Sequence, residues 1–218
     1  MSAEAPNWRE IFRYLGYKNG ARPEGAALEM IERAEAAVRG MAEAKCVYQR
    51  FPLSFPGEGA VLIGDIRIKS AALRRNLEGC CGAYLFAATL GADVDRLISR
   101  LTALGRVSEA AAAQAAAAAL IEDVCDEAGE SMSRIEGAKG RRLRPRFSPG
   151  YGDFSIEHQR DITGVLETAR RIGLTVTDSL MLAPMKSVTA VIGVTETEGC
   201  TEAGCGNCGK KDCDFRRL

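Results

Sequence analysis

The chain has 218 residues, 46% hydrophobic and 27% charged, a balance that fits a globular protein with its own core and excludes a disordered or fibrous one. Lysine plus arginine (29) equals aspartate plus glutamate (29), so the formal net charge is zero, which sets aside a generic nucleic-acid binder with its large basic excess. No basic start leads into an apolar run, and no stretch approaches the roughly 18 apolar residues of a membrane span. The Ala-rich run at 110–119 comes closest, but Gln114 interrupts it and Glu122 and Asp123 follow. No membrane association is therefore expected, and the expected compartment is the cytoplasm, where thiols stay reduced.

In chain order, Asn7 with Glu10 three residues on reads as a capping box opening a short helix to Tyr14. A longer helix is expected over 24–44, with Leu28, Ile31, Ala34, Val38 and Met41 forming one apolar stripe. Residues 46–53 read as a strand ended by prolines, and 61–68 as a second extended stretch. Ser70 is placed to cap a short helix to Leu77. The apolar run at 83–90, bounded by glycines, reads as a central buried strand. Helices follow at 92–104 and from a Ser108 cap to about Met132, the second with an alanine face suited to close packing. The basic stretch 141–148 reads as an edge strand or loop because of Pro145. A helix capped by Ser155 is expected to run to Ile172, with Gly173 beyond its end. Stretches 174–181 and 187–195 look extended. Helices and strands intermingle without a regular β-α-β period, so the expected fold is α+β with a largely antiparallel sheet. Residues 1–195 form the main body in this reading, and the Gly- and Cys-rich stretch 196–218 is an appendage.

The most distinctive segment outside that appendage is Arg144-Pro-Arg-Phe-Ser-Pro-Gly-Tyr-Gly-Asp153. Prolines and glycines fix a backbone that a ligand can approach closely. Arg146 offers a planar fork of donors suited to a carboxylate or phosphate, and Tyr151 offers a stacking face and a hydroxyl. The basic run from Arg134 to Arg146 faces a single acid, Glu136, and reads as a solvated edge or as a docking surface for an acidic partner.

Eight cysteines are present. Cys46, Cys80, Cys81 and Cys125 sit in apolar surroundings and read as small buried hydrophobes. The other four, Cys200-x4-Cys205-x2-Cys208-x4-Cys213, crowd one short stretch. Four thiolates separated by Gly, Asn and Lys suit structural zinc or an iron–sulfur cluster.

The stretch from Arg146 through Ser-Pro-Gly-Tyr-Gly-Asp153 and Glu157-His158 resembles the Arg-x-x-Pro-Gly-Tyr…His motif of the activation domain of cobalamin-dependent methionine synthase. Leu174-Thr-Val-Thr-Asp-Ser-Leu-Met181, Pro184 and Ser187-Val188 resemble that family's later Leu-Thr-x-Ser…Met-x-Pro…Ser-Val stretch, in the same order and spacing. Arg13-Tyr-Leu-Gly-Tyr17 and Leu85-Phe-Ala-Ala-Thr-Leu-Gly-Ala92 are similar to free-standing members. The likeness covers most of 8–195 and leaves the cysteine stretch unexplained. It implies a methionine synthase activation-domain-like fold that binds S-adenosylmethionine and supports reductive methylation of cob(II)alamin. It also implies a component of the methyltransferase system, with cobalamin carried by a separately encoded synthase subunit and a flavodoxin- or ferredoxin-like electron donor. Arg146 is then expected to hold the ligand's carboxylate, and Pro149, Gly150 and Tyr151 to shape the pocket, with Tyr151 near the reacting centre. Glu122 or Asp126 is expected to supply an acidic contact, and His158, the one histidine, to pack in its helix or face the corrin edge. The family's Asp-Trp motif is Asn7-Trp8 here, and its acidic role is not carried over. An electron-relaying cluster in the tail fits this reading, with zinc as the other choice. Competing readings are a corrinoid- or metal-handling protein for another methyltransferase, a zinc-knuckle binding module, and an ordinary methyltransferase; for the last, Gly150-x-Gly152 is only a fragment of the glycine loop it needs.

Overall fold

The computed structural model describes residues 5–196 apart from Asn19 and Glu58; the expected Cys200–Cys213 metal site lies outside the described residues. The elements, in order, are α1 (Trp8–Tyr14), α2 (Gly25–Met41), β1 (Lys45–Phe51), β2 (Leu53–Ser54), β3 (Ala60–Ile63), β4 (Ile66–Lys69), α3 (Ala71–Asn76), β5 (Cys80–Thr89), α4 (Ala92–Ala103), α5 (Val107–Gly137), β6 (Arg142–Leu143), α6 (His158–Val165), α7 (Thr168–Ile172), β7 (Thr175–Val176), β8 (Leu182–Ala183) and β9 (Ser187–Thr195). The fold is mixed α+β with antiparallel pairing, as expected. No described helix is long and apolar enough to cross a membrane. Two compact units are present, each assembled from three separate segments.

One unit comprises the described residues of Met1–Cys46 with Ala88–Glu127 and Thr168–Val188. The Asn7 side chain caps α1 by accepting from the Glu10 amide at 3.3 Å, and its Nδ2 donates to Asp123 Oδ1 at 3.1 Å. Of the stripe expected on α2, Ile31, Ala34 and Val38 are buried, Leu28 is half-buried and Met41, at the helix end, is exposed. On α5, Ala112, Ala113, Ala116, Ala117 and Leu120 are buried, so the alanine face serves close packing as its composition implied. This helix starts at Val107 and runs past Met132 to Gly137, so Ser108 lies inside it. Lys186 Nζ donates to the Gln114 carbonyl at 3.3 Å, and burial pushes its ammonium below the ordinary lysine value. The stretch expected to be extended over 174–181 is strand only at β7, because a turn held by Thr177 Oγ1 on the Met181 amide (3.1 Å) folds it back against β8.

The other unit comprises Val47–Ala87, Ala128–Glu167 and the described residues of Thr189–Leu218. Its main sheet has the order β1-β5-β9-β6. β6 runs antiparallel to β9, with Arg142 opposite Thr195 and Leu143 opposite Val194. From Gly82 onward every residue of β5 is buried; a strand covered on both faces shows no alternation, which is why its sequence is a continuous apolar run. The stretch expected as one strand over 61–68 is a hairpin: β3 and β4 pair around Gly64-Asp65. Gly64 takes φ 58°, the conformation a two-residue hairpin loop requires. Ser70 caps α3 through the Leu73 amide at 3.0 Å. The single helix expected over 155–172 is two, α6 and α7, because Glu167 between them adopts φ 51°, and the first begins at His158 rather than beside Ser155.

Candidate functional site

The segment after β6 is held at both ends. Phe147 exchanges both backbone hydrogen bonds with Val191 of β9, each 2.9 Å, which fastens the start of the loop to the sheet edge. A tight turn follows. The Tyr151 amide donates to the Ser148 carbonyl at 3.1 Å, with Pro149 and Gly150 between them and Gly150 at φ 94°. Proline at the second position and a positive-φ glycine at the third define a type II turn. A second turn runs from Tyr151 to Phe154, with Gly152 at φ 56° and the Phe154 amide on the Tyr151 carbonyl at 3.0 Å. The Gly150 amide closes the double turn on the Phe154 carbonyl at 2.7 Å.

Side chains pin this backbone. Phe147 and Phe154 stack with ring centroids 6.2 Å apart, Tyr151 meets Phe147 edge-on at 6.0 Å, and His158 leans on Phe154 at 5.5 Å. The Asp153 carboxylate accepts from Ser70 Oγ at 2.5 Å and from the amides of Ala71 and Ala72 at 2.8 and 3.0 Å. The Ser70 hydroxyl first, then those amides, hold its pKa down to about 2. Asp153 thus ties the loop to the start of α3. Sequence reasoning gave it no role, since its partners lie more than 80 residues away.

The predicted residues fall as follows. Pro149 is buried under the turn, Gly150 and Tyr151 are exposed, and Arg146 is half-buried just before Phe147. Tyr151 is 59% exposed, so the turn presents its outer face to solvent rather than being sealed by neighbouring chain. A Cβ at Gly150 would touch only Ile156, at 3.8 Å, so the backbone there is open to close approach by a ligand. His158 is the first residue of α6, and its Nδ1 lies 2.6 Å from Asp161 Oδ2. All five belong to one unit. Glu122 and Asp126, one turn apart on α5, belong to the other, the first half-buried and the second exposed.

A second polar cluster was not foreseen. Glu136, read from sequence as part of a solvated edge, is fully buried. Tyr84 Oη donates to its Oε1 at 2.8 Å. Arg50, Lys139 and Arg141 bring cationic nitrogens to 3.8, 3.8 and 3.7 Å. Burial and the bond to Glu136 push the Tyr84 phenol up to about 12. The cluster draws on β1, β5, the end of α5 and the entry to β6, a convergence that the spacing along the chain does not reveal. The cysteine expectation is corrected likewise. Cys125 is buried and Cys80 half-buried, but Cys46 and Cys81 are exposed. Among the described residues, no three His, Cys, Asp or Glu side chains converge as a metal site.

No family model and no curated protein matches the chain. Among solved structures, it is similar to one described as the crystal structure of the MetH reactivation domain bound to AdoHcy, with a TM-score of 0.61 and 15% identity over 86% of this chain and 73% of that one. The architecture that the 144–195 motifs implied is therefore the one this chain adopts: it has the fold of the MetH reactivation domain.

Proposed function

We propose that this protein binds S-adenosylmethionine and presents it for reductive methylation of cob(II)alamin carried by a separately encoded methionine synthase subunit. The observation that carries this reading is the turn at Pro149-Gly150-Tyr151, shortly after Arg146, with Gly150 and Tyr151 facing solvent, on a fold for which a solved neighbour is described as bound to AdoHcy. A guanidinium fits the amino-acid carboxylate of such a ligand through paired charge-assisted bonds. The bare backbone at Gly150 admits an adenosyl group at van der Waals distance, and the Tyr151 ring gives it a face to lie against. S-adenosylmethionine supplies the methyl group. The chain's own task is positioning, and a turn fixed by Phe147 and Asp153 is suited to it.

Under this reading His158 faces the corrin. The exposed Arg134, Lys139 and Arg142 of the 134–146 run receive an acidic flavodoxin- or ferredoxin-like donor in the cytoplasm. Cys200, Cys205, Cys208 and Cys213 hold an iron–sulfur cluster that relays the electron, or a zinc ion. Replacing Arg146 by alanine is expected to weaken S-adenosylmethionine binding by about 10- to 100-fold, the worth of a charge-assisted bond. The functional test adds the full chain, S-adenosylmethionine and a reductant to a cob(II)alamin-inactivated synthase; methyl transfer returns if the proposal holds and stays absent if it does not.

A further inference from the structure

The loop that carries the double turn is hydrogen-bonded to β9 at Phe147 and buried at Phe154. Between them lie two positive-φ glycines, Gly150 and Gly152, and glycine backbone is the freest to leave such a conformation. Asp153 reaches out of the loop to fix it. Its Oδ1 accepts from Ser70 Oγ and the Ala72 amide, and its Oδ2 from the Ala71 amide, so both oxygens are turned to the start of α3. Beside it, a Cβ at Gly152 would stand 3.0 Å from the Ala72 Cβ. The turn therefore lies directly on α3, and the missing side chain at Gly152 is what allows that approach.

The support is itself firm. Ser70 is buried, and its hydroxyl both donates to Asp153 and accepts from the Leu73 amide. The Ser70 amide donates to the Gly59 carbonyl at 2.9 Å, and Arg74 Nη1 donates to the carbonyls of Gly57 and Ala60 at 3.2 and 3.1 Å. These bonds fasten α3 to the start of β3, so Asp153 refers the turn to the β2-β3-β4 sheet. A ligand that meets a turn already fixed does not have to order it. A ligand that meets a turn sampling other glycine conformations binds only the competent fraction, and its apparent affinity falls by that fraction.

We propose that Asp153 is a positioning residue for S-adenosylmethionine binding: it sets the affinity by holding the 149–152 turn against α3, with no contact of its own to the ligand. The proposal rests on the reading of that turn as the ligand site and adds a residue outside the Arg-x-x-Pro-Gly-Tyr motif. Ser70 acts with it, as a donor at 2.5 Å that also caps α3.

The test is calorimetric titration of the full chain with S-adenosylmethionine, well below the melting temperature of every variant, beside amide hydrogen exchange of the ligand-free proteins. Asp153→Asn keeps the side chain's shape but sets an amide, itself a donor, among three donors. It is expected to bind about tenfold more weakly than wild type, with faster exchange at the amides of Gly150, Tyr151 and Phe154. Ser70→Ala is expected to weaken binding in the same direction, and to weaken it no further in the Asp153→Asn background. It also reads the same contact from the α3 side should Asp153→Asn not fold. Tyr84→Phe, in the buried Glu136 cluster, is the destabilised reference and is expected to keep wild-type affinity. Saturable binding by wild type with Asp153→Asn within about twofold of it overturns the proposal and leaves the ligand site standing. Equal weakening by Tyr84→Phe also overturns it, since the loss then follows stability rather than the placing of the turn, as do Ser70 and Asp153 effects that simply multiply. No binding by folded wild type overturns the ligand reading and this proposal together.

Discussion

At the scale of single residues, Asp153 and Glu136 do different work with the same functional group. Asp153 is exposed but saturated with donors, and its folded-state pKa of about 2 lies below the ordinary 3.8. Its ionised form therefore adds stability that is fully present above pH 4 and drains away as the pH falls from there through 2. In melting curves against pH, wild type is expected to lose its advantage over Asp153→Asn across that window; a difference independent of pH contradicts the assignment. Glu136 is buried, and Tyr84 is the neutral donor that satisfies one of its oxygens. Tyr84→Phe deletes that donor and leaves a buried carboxylate oxygen short of a partner, at a cost of roughly 1–3 kcal/mol by urea unfolding. A cost under about 0.5 kcal/mol means that the cations alone suffice. Arg146 and Tyr151 could be picked out beforehand because their motif is contiguous. Asp153 and Glu136 could not, because burial and bonding come from segments far off in sequence.

At the scale of elements, β5 and β9 form the frame on which the loop is hung. The apolar run of β5 and the alternation in β9 both signalled strands, and both strands are there. The break at Glu167 gave no signal, since Leu-Glu-Thr is compatible with helix and only the surrounding chain imposes its positive φ. The β3–β4 hairpin was missed because its glycine sits in the middle of a run of Val, Leu and Ile. Gly193 shows how closely the frame is packed at the loop's root. A methyl group there meets Cys80 Sγ at 2.7 Å, Leu77 Cδ2 at 2.9 Å and Arg144 Cγ at 3.1 Å. Gly193→Ala is expected to destabilise the protein by about 1–3 kcal/mol, the usual cost of overpacking. A neutral result in chemical denaturation shows that these side chains yield without strain.

At the scale of the molecule, the chain passes between its two units inside β1, β5, α5 and β9, and once more at Glu167 between α6 and α7. No shift in composition marks those crossings, so the arrangement was not legible from the sequence, whereas the α+β class and the loop that carries the proposed site were. The reactivation-domain fold and the exposed proline–glycine turn support one central claim, that this protein grips the amino-acid end of a sulfonium donor through Arg146. The most direct measurement is calorimetric titration of the full chain with S-adenosylmethionine, wild type beside Arg146→Ala, with both checked for the same melting temperature. Saturable binding by wild type and a 10- to 100-fold weaker isotherm for the variant is the predicted result. No heat of binding to folded wild-type protein, or equal affinity in the two, contradicts it.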